Sequence, residues 1–396
     1  MAGRERTARN YRESALRPHA HYDYSLFFLV VFLVGFGLVM IYSASAYRGM
    51  VRFNDSMHFL KRQGISVIVG LVAMIVLSRI DYRIWSKPLI KKTPINLALL
   101  AYLFCVALQV LVLIIGEEYN GAKRWIKVPV LGTFQPSELS KVATVLFVAY
   151  IVSIAPKKLD KFSGFVRVAL YMAPLLALIA KENLSSAIIV GGIMVAICFV
   201  ASRKKLYYLI VGAGGLAGIF AYIKFVGYRA ERVEIWRNIE THPKGMQILQ
   251  GLYAISAGGL FGTGLGQSMQ KLGAIPEAYN DMIFTIICEE LGVFGAVIVI
   301  VLFVLLLWRM FVIAISAPDL FGGLICAGVM AQVAIQVIIN IAVVTNSIPS
   351  TGIPLPFISY GGTSVMILLA EMGLVLSVSN EIDQRATLAR REEEMY

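Results

Sequence analysis

Charge is what this chain lacks most: 15% of its 396 residues are Asp, Glu, Lys or Arg, against about a quarter in a soluble domain. That shortage excludes a disordered chain, which needs polar and charged residues in excess. Cysteine and histidine are scarce too, at four each. Cys105, Cys198, Cys288 and Cys326 each lie inside an apolar run and read as small buried hydrophobes. His19 and His21 belong to a polar N-terminal segment, and His58 and His242 stand alone, so no spacing suits zinc or a di-metal site. An internal repeat is also missing, which counts against a repeat-built transporter.

What the chain has instead is apolar length, with 58% hydrophobic residues. Ten runs long enough to cross a bilayer fall near 25–45, 63–78, 96–116, 137–155, 164–180, 184–202, 206–226, 282–308, 319–345 and 359–379. The expected fold is therefore an all-α polytopic membrane protein of about ten transmembrane helices. Residues 1–24 form an N-terminal segment, 25–380 the membrane domain and 381–396 a C-terminal tail. Ser43-Ala44-Ser45-Ala46 has the small residues of a signal-peptidase site. The run before it is too long for a signal peptide, so the first helix is retained.

The net charge of +12 would suggest nucleic acid on a soluble chain. Here the cations sit mainly between apolar runs, and no nucleic-acid partner is expected. An even number of spans puts both termini on one side, and the larger share of Lys and Arg falls there with them, which makes that side cytoplasmic. The longest connection, 227–281, then lies on the outer face. It holds Trp236, Leu252, Tyr253 and a glycine cluster from Gly258 to Gly266, and its apolar content predicts short interfacial helices. The glycines follow no strand, so a nucleotide-binding loop is a weak reading.

Ionisable groups inside spans default to functional candidates. Glu138 and Lys141 lie three apart on one face of the fourth span and can pair. Glu289 and Glu290 are adjacent in the eighth, where bonding to neighbouring helices is the plainer role. Gln332, Gln336 and Asn340 form a stripe along the ninth, suited to interhelical hydrogen bonds, and Glu371 stands alone in the tenth. Between those last two spans, Pro349, Pro354 and Pro356 forbid a continuous helix. Non-helical backbone at the membrane edge must line protein or a cavity.

Several segments taken together resemble the SEDS family (shape, elongation, division, sporulation), the FtsW/RodA-like cell-wall polymerases. They are Ile41-Tyr42-Ser43-Ala44-Ser45, Asn120-Gly121-Ala122-Lys123-Arg124-Trp125-Ile126, Phe134 to Lys141 and Gly262 to Gly266. Ile275-Pro276-Glu277-Ala278-Tyr279-Asn280-Asp281, Glu289-Glu290-Leu291-Gly292 and Pro354 to Ser364 complete the set. Each motif is weak alone; the ordered set is specific. Ala342-Val343-Val344-Thr345 looks closer to the division and sporulation branches than to elongation. One departure is Glu182-Asn183-Leu184-Ser185-Ser186, where members often carry Pro-Asp-Leu-Gly-Thr; Asn183 replaces a carboxylate.

The resemblance implies an inverting glycosyltransferase that polymerises lipid II, a disaccharide-pentapeptide on undecaprenyl diphosphate, into glycan strands on the outer membrane face. It implies a class B penicillin-binding protein transpeptidase as partner, alongside other division or sporulation proteins. Asp281 matches the family's essential Asp and becomes the expected general base; from its position alone it reads first as a helix N-cap. Arg62, Lys123, Arg124, Arg229 and Arg232 are expected to clamp diphosphate, with Trp125, Glu138, Lys141, Ser359 and Tyr360 lining the substrate site. No cofactor motif is present; a divalent cation carried by the substrate diphosphate is compatible with the sequence. The competing readings are a lipid II flippase, an elongation-type polymerase and a non-catalytic scaffold.

Overall fold

A computed structural model describes residues 23–393 apart from 91, 92, 94, 120, 121, 129–131, 226, 243, 244 and 274. Expectations for residues 1–22 lie outside the described residues. Twelve helices are labelled here in chain order. They are α1 Tyr24–Phe53, α2 His58–Ser78, α3 Leu97–Ile115, α4 Pro136–Ile154, α5 Phe162–Glu182 and α6 Leu184–Ala201. After these come α7 Lys205–Phe225, α8 Gly227–Arg237, α9 Met246–Ala257, α10 Ile283–Ser316, α11 Leu320–Val344 and α12 Gly362–Glu393. Among the described residues nine are long and apolar enough to cross a membrane. The expected seventh span coincides with α7, which has 21 residues.

Local chemistry sets several boundaries. The side chains of Asp23, Asn96, Asn183 and Asp319 accept hydrogen bonds from backbone N–H groups in the first turns of α1, α3, α6 and α11. Pro136 opens α4, where its missing N–H costs nothing. The Asn183 cap also explains the departure noted above: an amide oxygen caps as a carboxylate does.

Burial sets three helices apart from the rest. In α4, α11 and α12, 67%, 61% and 72% of the membrane-spanning window is buried, against 22% in α2 and 28% in α3, α5 and α10. Of the polar residues noted in the spans, Glu138, Lys141, Gln332, Gln336, Asn340 and Glu371 belong to that central trio and are all buried; Glu289 and Glu290 are buried on α10. Close packing also joins α12 to the more exposed α2. A Cβ on Gly373 of α12 would lie 2.6 Å from the Met74 carbonyl oxygen of α2, and one on Gly70 would lie 2.7 Å from Leu369. Such small-residue contacts are how membrane helices approach closely.

Three features add detail to the expectation. The chain is not wholly helical, because a three-stranded antiparallel sheet fills the α3–α4 connection, with β1 Glu117–Tyr119, β2 Ala122–Val128 and β3 Gly132–Phe134. Next, α12 continues as one helix to Glu393, past the end of its membrane-spanning stretch at Ile382. Finally, only part of 227–281 forms the expected short helices, α8 and α9. Residues 258–273 fold back along α10.

The fold-back depends on a break in α10. Gly292 has φ 67 and ψ −168, a conformation open to glycine alone. The interrupted backbone finds partners in the returning loop. Val293 and Phe294 donate to the carbonyls of Gly259 and Leu260 at 2.9 and 3.1 Å. Thr263 and Gly264 donate to those of Glu289 and Glu290 at 2.9 and 3.0 Å. Leu291, the last residue before the break, lies roughly 12 Å along the helix from its start at 1.5 Å per residue. The loop therefore reaches membrane depth with its backbone satisfied by protein. The glycine cluster is a packing surface: a Cβ on Gly258 or Gly262 would fall 1.9 or 2.1 Å from a carbonyl oxygen of α10.

Candidate active site

Asp281 occupies the turn before α10, yet it does not cap that helix. Met282 is the N-cap residue, and the Asp281 carboxylate accepts from its own backbone N–H instead. Its backbone is held on three sides. The Asn340 amide of α11 donates to the Asp281 carbonyl at 2.8 Å and to Ile353 at 2.9 Å. The Ser359 hydroxyl donates to Asn280 at 2.7 Å and accepts from the Leu355 N–H at 2.8 Å. The Tyr360 N–H donates to Tyr279 at 2.9 Å.

The proline-rich segment between α11 and α12 is thus the wall against which Asp281 rests. Gly352 lies close enough that a Cβ there would sit 3.9 Å from Asp281 Oδ2. Two residues flanking the site have positive φ without being glycine, Glu277 at 53° and Phe357 at 64°. Such conformations persist only where surroundings over-determine them. Phe357 is held in part by α1, where Gly37 lacks the side chain that would collide with the Phe357 carbonyl.

Enclosure pushes the Asp281 carboxyl up to about 6; its own backbone N–H acts against this, Glu277 reinforces it, and the Arg232 charge opposes it. Arg232 also donates to the Ser350 carbonyl at 2.9 Å, and Trp236 donates to Asn346 at 2.9 Å. Both bonds fasten α8 to the same wall. Beside them Phe59, Tyr279 and Tyr360 pack with ring centroids 4.4 to 5.5 Å apart. Burial raises the Tyr360 phenol, and Arg62 beside it pulls the other way. Burial lifts Tyr279 to about 12, Glu277 adds to this, and Arg48 and Arg52 of α1 oppose it.

Below Ser359 a cavity of about 20 Å³ is lined by Glu138, Lys141, Gln336, Ser359 and Ser364 among others, room for one water. Lys141 bonds the Glu138 carboxylate at 2.9 Å, and the Ser364 hydroxyl donates to it at 2.6 Å.

The structure brings Asp281, Arg232, Arg62, Ser359 and Tyr360 together, with Glu138 and Lys141 beneath. Lys123, Arg124 and Trp125 lie on β2, which packs over α3, α4 and α5. Glu182 at the end of α5 accepts the Lys123 N–H at 2.9 Å. Ser185, at the start of α6, bonds Thr351 at 3.0 Å, which ties this part of the bundle to the Asp281 wall. Arg229 falls on α8, its side chain outside those described. Arg48 and Arg52 were not among the expected cations. Their signal was an i, i+4 pair at the outer end of the first span. Among the described residues no three His, Cys, Asp or Glu side chains are grouped to hold a metal.

Known proteins resemble this chain in sequence and in fold. The family model described as "Cell cycle protein", covering FtsW, RodA and SpoVE, matches residues 24–384. Stage V sporulation protein E of Bacillus subtilis is 39% identical, across 90% of this chain and 96% of its own. A protein of Trichlorobacter lovleyi named "Probable peptidoglycan glycosyltransferase FtsW" is 37% identical, across 91% and 93%. Among solved structures, one described as "Structural coordination of polymerization and crosslinking by a peptidoglycan synthase complex" superposes with a TM-score of 0.74 at 29% identity, covering 91% of this chain and 98% of that one. The rod shape determining protein RodA of Thermus thermophilus gives 0.66 at 28%, covering 91% and 97%. A multi-pass membrane protein with this sequence and fold belongs to the FtsW/RodA/SpoVE family.

Proposed function

We propose that the protein is a peptidoglycan glycosyltransferase that polymerises lipid II on the outer face of the cytoplasmic membrane, with both termini in the cytoplasm. The observation that carries the reading is the Asp281 carboxyl. It is half-buried, is not the N-cap of α10, is raised to about 6 and lies within the field of Arg232. A general base works best with a pKa near the working pH. Asp281 takes the proton from the acceptor sugar hydroxyl as its oxygen bonds the donor's anomeric carbon. The anomeric carbon–phosphate bond breaks in the same step, and undecaprenyl diphosphate leaves with the bonding pair. Arg232 and Arg62, joined by Arg48 and Arg52, supply positive charge for that leaving group.

A class B penicillin-binding protein that cross-links the strands is the partner this activity requires, in division or in sporulation. The test is full-length protein in liposomes given labelled lipid II on the Asp281 face, with product strands resolved on a gel. Polymer without an added energy source supports the polymerase. Substrate that crosses the bilayer without being joined supports a flippase and overturns this reading.

A further inference from the structure

The glycosyltransfer scheme leaves a buried ion pair beside the broken helix unused. Lys271, in the single turn Gln270–Leu272, donates to Glu290 Oε1 at 2.8 Å and to the Ser43 hydroxyl of α1 at 3.1 Å. The Ser43 hydroxyl lies 2.7 Å from both Glu290 carboxylate oxygens. The pair is sealed, with side-chain exposures of 9% for Lys271 and 0% for Glu290. Next to it Glu289 accepts from the Ser268 hydroxyl at 2.5 Å and from the Met269 N–H at 2.9 Å. Three separated pieces of chain meet at this node: α1, the returning loop and α10.

Its place in the fold gives it a task. The break at Gly292 uncouples the short upper piece of α10, Ile283–Leu291, from the long lower piece, so helix continuity does not fix the upper piece's direction. Asp281 rides at one end of that piece and Glu290 sits near the other. Lys271 and Glu290 also flank Asp281 in sequence, so their ion pair closes the stretch of chain that carries it. A buried ion pair is a poor device for stability alone, because apolar residues of similar volume often serve as well or better. What a charge pair adds is a defined position. Accepting the polymerase reading, we propose that Lys271 and Glu290 are positioning residues for the glycosyltransfer step: their ion pair, anchored on Ser43, holds the upper piece of α10 so that Asp281 meets the acceptor hydroxyl.

The test uses the full-length chain in liposomes with lipid II, comparing kcat and KM. A displacement of about 1 Å at a reacting group costs on the order of 100-fold. Lys271→Met is therefore expected to lower kcat by about 10- to 100-fold while KM stays within about twofold. Lys271→Arg, which keeps a cation at the node, should restore most of the rate. The double variant Lys271→Met/Glu290→Gln removes both charges and leaves neither buried alone. It should fold and be as slow as the single change, because one pin has been lost in either case. A folded double variant with wild-type kcat overturns the proposal while the polymerase stands. A double variant that fails to fold also overturns it, since the pair would then be structural. A wild-type protein that makes no polymer defeats the polymerase reading and this inference with it.

Discussion

The Asn340 side-chain amide donates to the Asp281 and Ile353 carbonyl oxygens at once, 2.8 and 2.9 Å away. One residue of the central helix α11 thereby joins the turn that bears the candidate base to the proline-rich wall opposite.

Replacing Asn340 with Leu keeps the volume and removes both donors. Two carbonyls lose their partner in a place with little water, at about 1–3 kcal/mol each. Thermal unfolding should register a clear fall in stability. Polymerisation should drop further than the folded fraction does, because the Asp281 turn loses its tether. Wild-type activity per folded molecule would show that the tether does not matter to the site.

Asp281→Asn separates chemistry from stability. Loss of the base should lower polymerisation by about 100-fold or more. The folded-state carboxyl sits near 6, above its ordinary 3.8, so the native protein is penalised once the group ionises. That penalty is absent well below pH 4, grows between about 4 and 6, and is complete above. The Asn variant should therefore be more stable than wild type at pH 8, by at most about 3 kcal/mol, and the gap should close as the pH falls. In wild type, kcat/KM should decline below about pH 6 as the base protonates. Glu277→Gln removes a charge that raises the carboxyl and should move this limb to lower pH; Arg232→Gln should move it higher. A limb indifferent to both changes would exclude Asp281 as its source.

The Glu138–Lys141 pair is a matter of coupling. Lys141→Ala leaves the Glu138 carboxylate buried with Ser364 as a donor, and removing one partner of a buried pair costs about 3–5 kcal/mol. Glu138→Ala should cost a similar amount for the opposite reason. The double change should cost less than the two together. Full additivity in this cycle would mean that the two charges do not interact.

How far the sequence discloses this architecture depends on the range of the interaction. The spans are legible because twenty apolar residues in a row have few other fates. The three prolines expose the non-helical wall, and the Ser359 segment within it, because ring geometry acts locally. The Gly292 break is hidden: glycine is common in membrane helices, and φ 67 arises from a loop that the sequence does not place beside it. Lys271 is hidden for the same reason, as a lone cation whose partner is reached only by folding back. The sheet around Trp125 is masked by residues that also suit an interfacial anchor. Asp281 stands out through the family motif; from position alone it reads first as the helix cap, a place that Met282 takes instead.

The glycine cluster offers a test of the fold-back itself, because its members differ in what surrounds them. Gly259 and Gly262 both have positive φ, at 53° and 79°, so alanine at either carries a conformational cost of about 1 kcal/mol or a little more. Their neighbours then separate them. A Cβ on Gly259 meets nothing within 4 Å, whereas one on Gly262 would lie 2.1 Å from the Glu290 carbonyl oxygen. That oxygen belongs to backbone, which cannot rotate aside like a flexible side chain, so the loop must lift from α10. Lifting breaks the bonds from Thr263 and Gly264 to the broken helix and exposes those groups at membrane depth, where each costs several kcal/mol. Gly262→Ala should therefore sharply reduce folded protein and polymer yield, while Gly259→Ala should lower thermal stability slightly and leave polymerisation near wild type. Equal effects from the two substitutions would show that 258–273 does not pack against α10 in the membrane.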